Sequence, residues 1–175
     1  MSRTNPYKRK QRQANRTLLI FGEGMNEEMF LKHLHKLYCL DTNVAVRIKK
    51  GKGGDSVSIV LDADRVPGGF DRRIVLLDND KAKSEIERAR KTARDRGIEL
   101  IENTPCLEYL FLSILDSAKD INSAECKKIF EAKYINKKKR RELCEYNKIF
   151  PKELLNKKRK TVKTLDYIIK IMEGK

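Results

Sequence analysis

Up to Asp116 the apolar residues fall in short blocks, each stopped by glycine, proline or acids. Leu18 to Phe21 runs into Gly22-Glu23-Gly24, and Ile74 to Leu77 runs into Asp78-Asn79-Asp80. Compact apolar runs bounded this way predict buried strands, here over 17–21 and 73–77. Between them, Phe30, Leu34, Leu37 and Tyr38 recur at i, i+4, i+7 and i+8, one face of a helix with Asn26 as a cap. Partial alternation over 44–48 predicts a second strand. The glycine-rich loop 49–54 follows, then a helix capped by Asp55 or Ser56 and reaching Arg65, and a turn at Pro67-Gly68-Gly69. Ala82, Ile86, Ala89 and Ala93 mark the next helix, which Gly97 stops. A fourth strand over 98–101, a turn at Asn103-Thr104-Pro105 and an apolar helix over 107–115 complete the run.

The order β-α-β-α-β-α-β-α implies an α/β fold, a parallel sheet with helices on both faces. Ligand sites in such sheets form beyond the C-terminal strand ends. After Asp116 strand patterns disappear. The remainder reads as a helical C-terminal extension over 117–175, ending in a helix with Val162, Leu165, Ile168, Ile169 and Met172 on one face.

Charge sharpens this division. The chain has 175 residues and a formal net charge of +15. Residues 1–16 hold six Lys/Arg and no acid, and read as a disordered basic arm. Residues 127–175 carry 17 Lys/Arg against 6 acids, whereas 17–126 carry 17 against 19. A near-neutral body between basic ends points to a polyanion partner, foremost nucleic acid. The competing reading is solubility or an acidic protein partner. The basic arm lacks the apolar segment of a secretory signal, and no run approaches the ~18 apolar residues of a membrane span. Cys39, Cys106, Cys126 and Cys144 form no CxxC pair, so they read as reduced, buried thiols of a cytoplasmic protein. His33 and His35, two apart on a helix, read as surface or boundary residues.

Asp78 and Asp80, at i and i+2, leave an extended chain on the same side. Two carboxylates in one small space repel unless they are exposed or bridged by a cation, and hard oxygen ligands suit Mg²⁺ or Mn²⁺. The plainer alternative is one Asp capping a helix and the other solvated. Glu23, at the end of the first strand, faces the same rim and is placed to move a proton or share a metal. Lys49, Lys50 and Lys52 leave the second strand at that rim, as grips for phosphate or as a solvated turn; Lys81 follows the Asp pair. No GxxxxGK[ST] is present, which argues against ATP binding. The run Lys137, Lys138, Lys139, Arg140 and Arg141, with Lys157 to Lys160, reads as helix-surface phosphate grips or a docking face for an acidic partner. Tyr134 and Tyr146 either stack on bases or pack.

The segments "LLIFGEGMNEEMFLKHL" and "RRIVLLDNDKA" resemble the two signature blocks of the Toprim domain, and "ENTPCLEYLFLSIL" resembles a segment of the RloB-like family of small Toprim proteins. The likeness covers 17–116. Leu107 and Leu110 stand where that family has Phe and Trp, and Ile114 where it often has His. The resemblance implies a Mg²⁺- or Mn²⁺-dependent endonuclease on RNA or DNA, working in phage defence with a partner ATPase. Asp78 and Asp80 would hold the metal. Glu23 would act as general base, general acid or ligand. Glu27 or Glu28 would assist the metal or merely complement the helix dipole. Glu108 would join the metal shell or brace its loop. A non-catalytic nucleic-acid-binding or adaptor subunit is the second reading, and a phosphatase with a DxD strand end the third. The third is disfavoured because the pair sits on strand three with Lys81 behind it.

Overall fold

The computed structural model describes residues 16–40, 42–118, 121–136 and 138–175. The basic arm, apart from Arg16, and Lys137 lie outside the described residues. Four strands, β1 (Arg16–Gly22), β2 (Val44–Lys50), β3 (Arg72–Asp78) and β4 (Ile98–Asn103), form one sheet in the order β2-β1-β3-β4. Every pairing is parallel. The helices between them are α1 (Met25–Tyr38), α2 (Ser56–Asp64) and α3 (Lys83–Asp95); α4 (Leu107–Ile114) follows β4. This is the parallel α/β architecture expected from the apolar blocks, and it is consistent with the Rossmann-like, Toprim-type fold that the resemblance implies. The C-terminal part is helical as expected: α5 (Ser123–Lys133), α6 (Leu143–Ile149), α7 (Lys152–Lys158) and α8 (Lys163–Met172).

The central strands are the most apolar. Leu18 to Gly22 of β1 and Ile74 to Asp78 of β3 are continuously buried, while edge strand β2 alternates between half-buried and exposed. Two separate cores result. On one face of the sheet, Ile59, Val60 and Ala63 of α2 pack with Ile86, Ala89 and Ala93 of α3. On the other, α1 and α4 share a core with α5 to α8. The chain leaves β1 towards β2 over one face and returns past β1 to β3 over the opposite face, as right-handed crossovers require. The strand order therefore reverses between β1 and β3, and a crevice opens at their C-terminal ends.

The C-terminal helices are anchored through aromatics. Phe111 of α4 packs against Phe30 at 4.8 Å, Phe130 at 4.9 Å and Phe150 at 5.0 Å between ring centroids. Each fully buried ring contributes ~1.5–3 kcal/mol. These contacts hold α5 and α6 over the ends of α1 and α4. Tyr146 is fully buried here, and Tyr134 stacks on Phe130 at 5.8 Å. His33 is also buried, not at the surface, with Nε2 2.7 Å from the Phe150 carbonyl oxygen. Cys39, Cys106 and Cys126 are buried free thiols, but Cys144 is exposed.

Local details depart from the sequence pattern. The N-cap of α1 is Gly24, not Asn26, because the Glu27 carboxylate accepts the Gly24 N–H at 3.0 Å. Asp55 caps α2, accepting from the Val57 and Ser58 N–H groups at 3.1 Å each. Lys49 and Lys50 are the last residues of β2, not a loop, since pairing with β1 continues to Gly22 opposite Lys50. Lys138 to Arg141 form turns between α5 and α6, not a helix surface. Lys158 pairs with Asp116, and Arg159 binds Glu173 at 2.7 Å and Asp166 at 2.8 Å, so both serve intramolecular pairs.

The passage from β1 into α1 demands glycine. A Cβ on Gly22 would stand 2.5 Å from the Cβ of Glu27. Gly22→Ala should push the start of α1 away from the sheet and destabilise the protein by about 1–3 kcal/mol, read from urea unfolding. An unchanged midpoint would mean that this contact relaxes freely.

Candidate functional site

The ends of β1 and β3 and the first turns of α1 and α4 converge on one cleft of about 320 Å³. Its walls include Glu23, Glu27, Asp78 and Glu108, each delivered by a different element end. Glu23 follows β1, Asp78 ends β3, Glu27 lies in the first turn of α1, and Glu108 in that of α4. Glu27, Asp78 and Glu108 are buried at 7%, 5% and 4% relative exposure. Charged groups this deep need specific partners.

Each carboxylate is oriented by an N–H donor. The Asp78 amide donates to Glu23 Oε2 at 3.3 Å, and the Leu107 amide at the start of α4 donates to Asp78 Oδ1 at 2.9 Å. The Gly24 amide holds Glu27, and Asn26 Nδ2 donates to Glu108 Oε1 at 2.8 Å. Asn26 thus serves the site rather than the helix end. The positive N-termini of α1 and α4 soften the repulsion. The outer oxygens remain weakly matched. Glu108 Oε2 is buried without a hydrogen-bond partner, and Glu23 Oε1 has the Lys81 ammonium at 3.9 Å.

Asp80, two residues past Asp78 and beyond the end of β3, is exposed. The two are bridged by Lys127 Nζ, 3.7 Å from Asp78 Oδ2 and 3.5 Å from Asp80 Oδ2. Lys127 and Glu131, four apart on α5, share the flank that lines the cleft, and Arg140 lies 3.9 Å from Glu131. Sequence reasoning missed Lys127 and Glu131. No motif surrounds them, and only the burial of Cys126 and Phe130 brings α5 here.

Burial controls the electrostatics, and like charges add to it. Burial, then Glu27, Glu108 and Glu23, push the Asp78 carboxyl up to about 8. Burial, aided by Glu108 and Glu23, pushes Glu27 up to about 7. Glu23 is raised too, chiefly by burial. Partial burial opposes the Lys127 charge, yet Glu108, Asp78 and Asp80 hold its ammonium above the usual lysine range. Fully ionised, the cleft would carry more negative charge than Lys81, Lys127 and Arg140 neutralise.

These features fit a hard divalent cation: the donors are oxygens, one buried oxygen lacks a partner, and an ammonium is already drawn between Asp78 and Asp80. The acids are splayed. Among the described residues, the set of three ligand-type atoms within 4.8 Å of one another is Glu142, Cys144 and Glu145, a mostly exposed group at α6 and no part of the cleft lining.

The remaining expected residues divide by position. Lys81 stands at the cleft, and Arg140 lines it. Lys49, Lys50 and Lys52 are exposed along the β2 rim, with Gly51 N–H bound to the Gly22 carbonyl at 2.9 Å. Lys138, Lys139 and Arg141 are exposed. Glu28 turns away and pairs with Lys32 at 2.7 Å. No helix among the described residues is long and apolar enough to cross a membrane.

Fold and cleft define an α/β protein with an acidic pocket at the reversal point of its sheet. No family model matches the chain, and neither a curated protein nor a solved structure matches it.

Proposed function

We propose that this protein is a metal-dependent endonuclease that cleaves phosphodiester bonds of RNA or DNA. The observation that carries the reading is the cleft itself: four carboxylates crowded at the switch point, in a chain of net charge +15. A structural role does not call for so much buried like charge, which weakens a fold unless a cation is bound. Mg²⁺ or Mn²⁺ held by Asp78 and Asp80, with Glu23, Glu27 and Glu108 around it, would neutralise charge on the phosphate and acidify a water.

The chain's own groups do the rest. Glu23, oriented by the Asp78 amide and raised by burial, is suited to take or give a proton. Lys81 beside Glu23 and Lys127 beside Asp78 border the carboxylates and can accept a phosphate as neighbour. The resemblance to RloB-like Toprim proteins supplies the setting of this reading, an anti-phage system with a partner ATPase.

A specific observation favours a second reading. Lys127 already bridges Asp78 and Asp80, as in a salt-bridged, non-catalytic nucleic-acid-binding subunit. Plasmid, single-stranded DNA and total tRNA, incubated with Mg²⁺ or Mn²⁺, separate the two. Wild type should cut one of these substrates, while Glu23→Gln and Asp80→Asn should not. Salt-sensitive binding without cleavage would favour the binding subunit. Turnover of a simple phosphomonoester instead would point to a phosphatase.

A further inference from the structure

A groove of about 800 Å³ runs along α5, lined by Lys127, Lys128 and Lys133 with Tyr134 and Ile135. It shares Lys127 and Glu131 with the acidic cleft, so the two cavities adjoin. Lys128 and Lys133 are exposed and their ammonium groups point to a polyanion, whereas exposed Ala124 and Ala132 and the half-buried ring of Tyr134 add apolar surface, with Glu131 as an acid in the lining. Lysines beside small apolar patches are what single-stranded nucleic acid uses: phosphates follow the charge, and bases gain from apolar contact.

The depth of the acids argues for the same ligand. Asp78, Glu27 and Glu108 lie beneath the surface, and the cleft is about 320 Å³. Duplex DNA is a stiff rod with a persistence length of about 50 nm. Its phosphates are held on the surface of that rod, so the recess admits a duplex less readily than a flexible strand. A single strand turns at every linkage and can enter. We propose that the α5 groove leads a single strand of nucleic acid into the acidic cleft, so that unpaired rather than duplex nucleic acid is the substrate. What happens at the cleft rests on the nuclease reading above; the binding path does not.

The test is fluorescence anisotropy in EDTA, where no cleavage intervenes. The probes are a labelled unstructured oligonucleotide and the same sequence as a duplex, titrated across a range of salt. Wild type is compared with Lys128→Glu/Lys133→Glu in the groove and, as a charge-matched control, Arg88→Glu/Lys91→Glu on α3, on the opposite face of the sheet. All four residues are exposed, and circular dichroism checks that both variants fold. The single strand should bind wild type at least about tenfold tighter than the duplex. The groove variant should lose about tenfold in single-strand affinity and reduce the slope of log K against log salt by about 1.4 or more. The α3 variant should stay within about twofold of wild type. Equal binding of duplex and single strand, equal losses in both variants, or no binding by wild type overturns the path. If the path holds but wild type cuts nothing with Mg²⁺ or Mn²⁺, the nuclease reading fails and the groove assignment stands. Cleavage without the groove effect does the opposite: the groove assignment fails and the nuclease reading stands.

Discussion

Asp78→Asn should abolish divalent-dependent cleavage and, in the same protein, raise its thermal midpoint in EDTA at pH 8. The two effects have one cause. Asp78 is buried among Glu27, Glu108 and Glu23, and its carboxyl is pushed up to about 8. Ionising it there is costly without a cation. Asparagine keeps the shape, and its amide oxygen can still accept the Leu107 N–H that Asp78 Oδ1 receives at 2.9 Å. It removes only the charge. Loss of a group central to transition-state charge stabilisation lowers the rate by about 10²–10³-fold or more. Removing an uncompensated buried charge stabilises a fold, at about 2–4 °C per kcal/mol in a chain of this size. Asp78→Ala would lose the activity as well, but also the Leu107 hydrogen bond, so it should not share the gain. Cleavage assays beside calorimetry in EDTA read both. If Asp78→Asn lowers the midpoint, the carboxylate is structural, paired to Lys127, and the catalytic assignment falls.

The sheet was legible because its strands announce themselves. Leu18 to Phe21 and Ile74 to Leu77 have no polar interruption, and burial on both faces of a parallel sheet allows that composition. Glu23 and Asp78 were legible for a related reason: an acid directly after such a block must lie at a strand end. Details set by tertiary contact were not. β2 runs on to Lys50 because Gly22 continues the pairing, which no property of Lys49 or Lys50 announces. Asn26 lost the cap of α1 to Gly24 because Glu27 reaches back to the Gly24 amide, freeing Asn26 to orient a residue 82 positions away. Lys127 and Glu131 were least legible. They enter the cleft because Cys126 and Phe130 dock α5 on a core built from α1 and α4. Linear spacing holds no trace of that docking.

Between pH 6.5 and 8.5 in EDTA the wild-type thermal midpoint should fall, and added Mn²⁺ or Mg²⁺ should raise it more at the upper end. The sign follows from proton counts. In the unfolded chain both carboxyls titrate near pH 4. Folded, Asp78 is pushed up to about 8 and Glu27 to about 7, so the native state holds more protons across this window. Stability therefore declines as pH rises towards the folded values, and levels off above them. Below pH 6.5 the trend is opposed. Burial lowers His33 and His35, so the unfolded chain takes up protons there that the native state refuses. In the upper window the buried Cys39, Cys106 and Cys126 thiols, also raised by burial, add to the fall near its top, and the total is on the order of 5 °C. Asp78→Asn should flatten most of it. Divalent binding requires ionised carboxylates, so its contribution grows as the protons leave. The metal-free slope and the metal increment are two sides of one crowded cleft. A flat midpoint in EDTA would show that the acids are already neutralised by the protein's own cations, Lys127 first among them. An equal divalent increment at pH 6.5 and 8.5 would move any metal site away from Asp78 and Glu27.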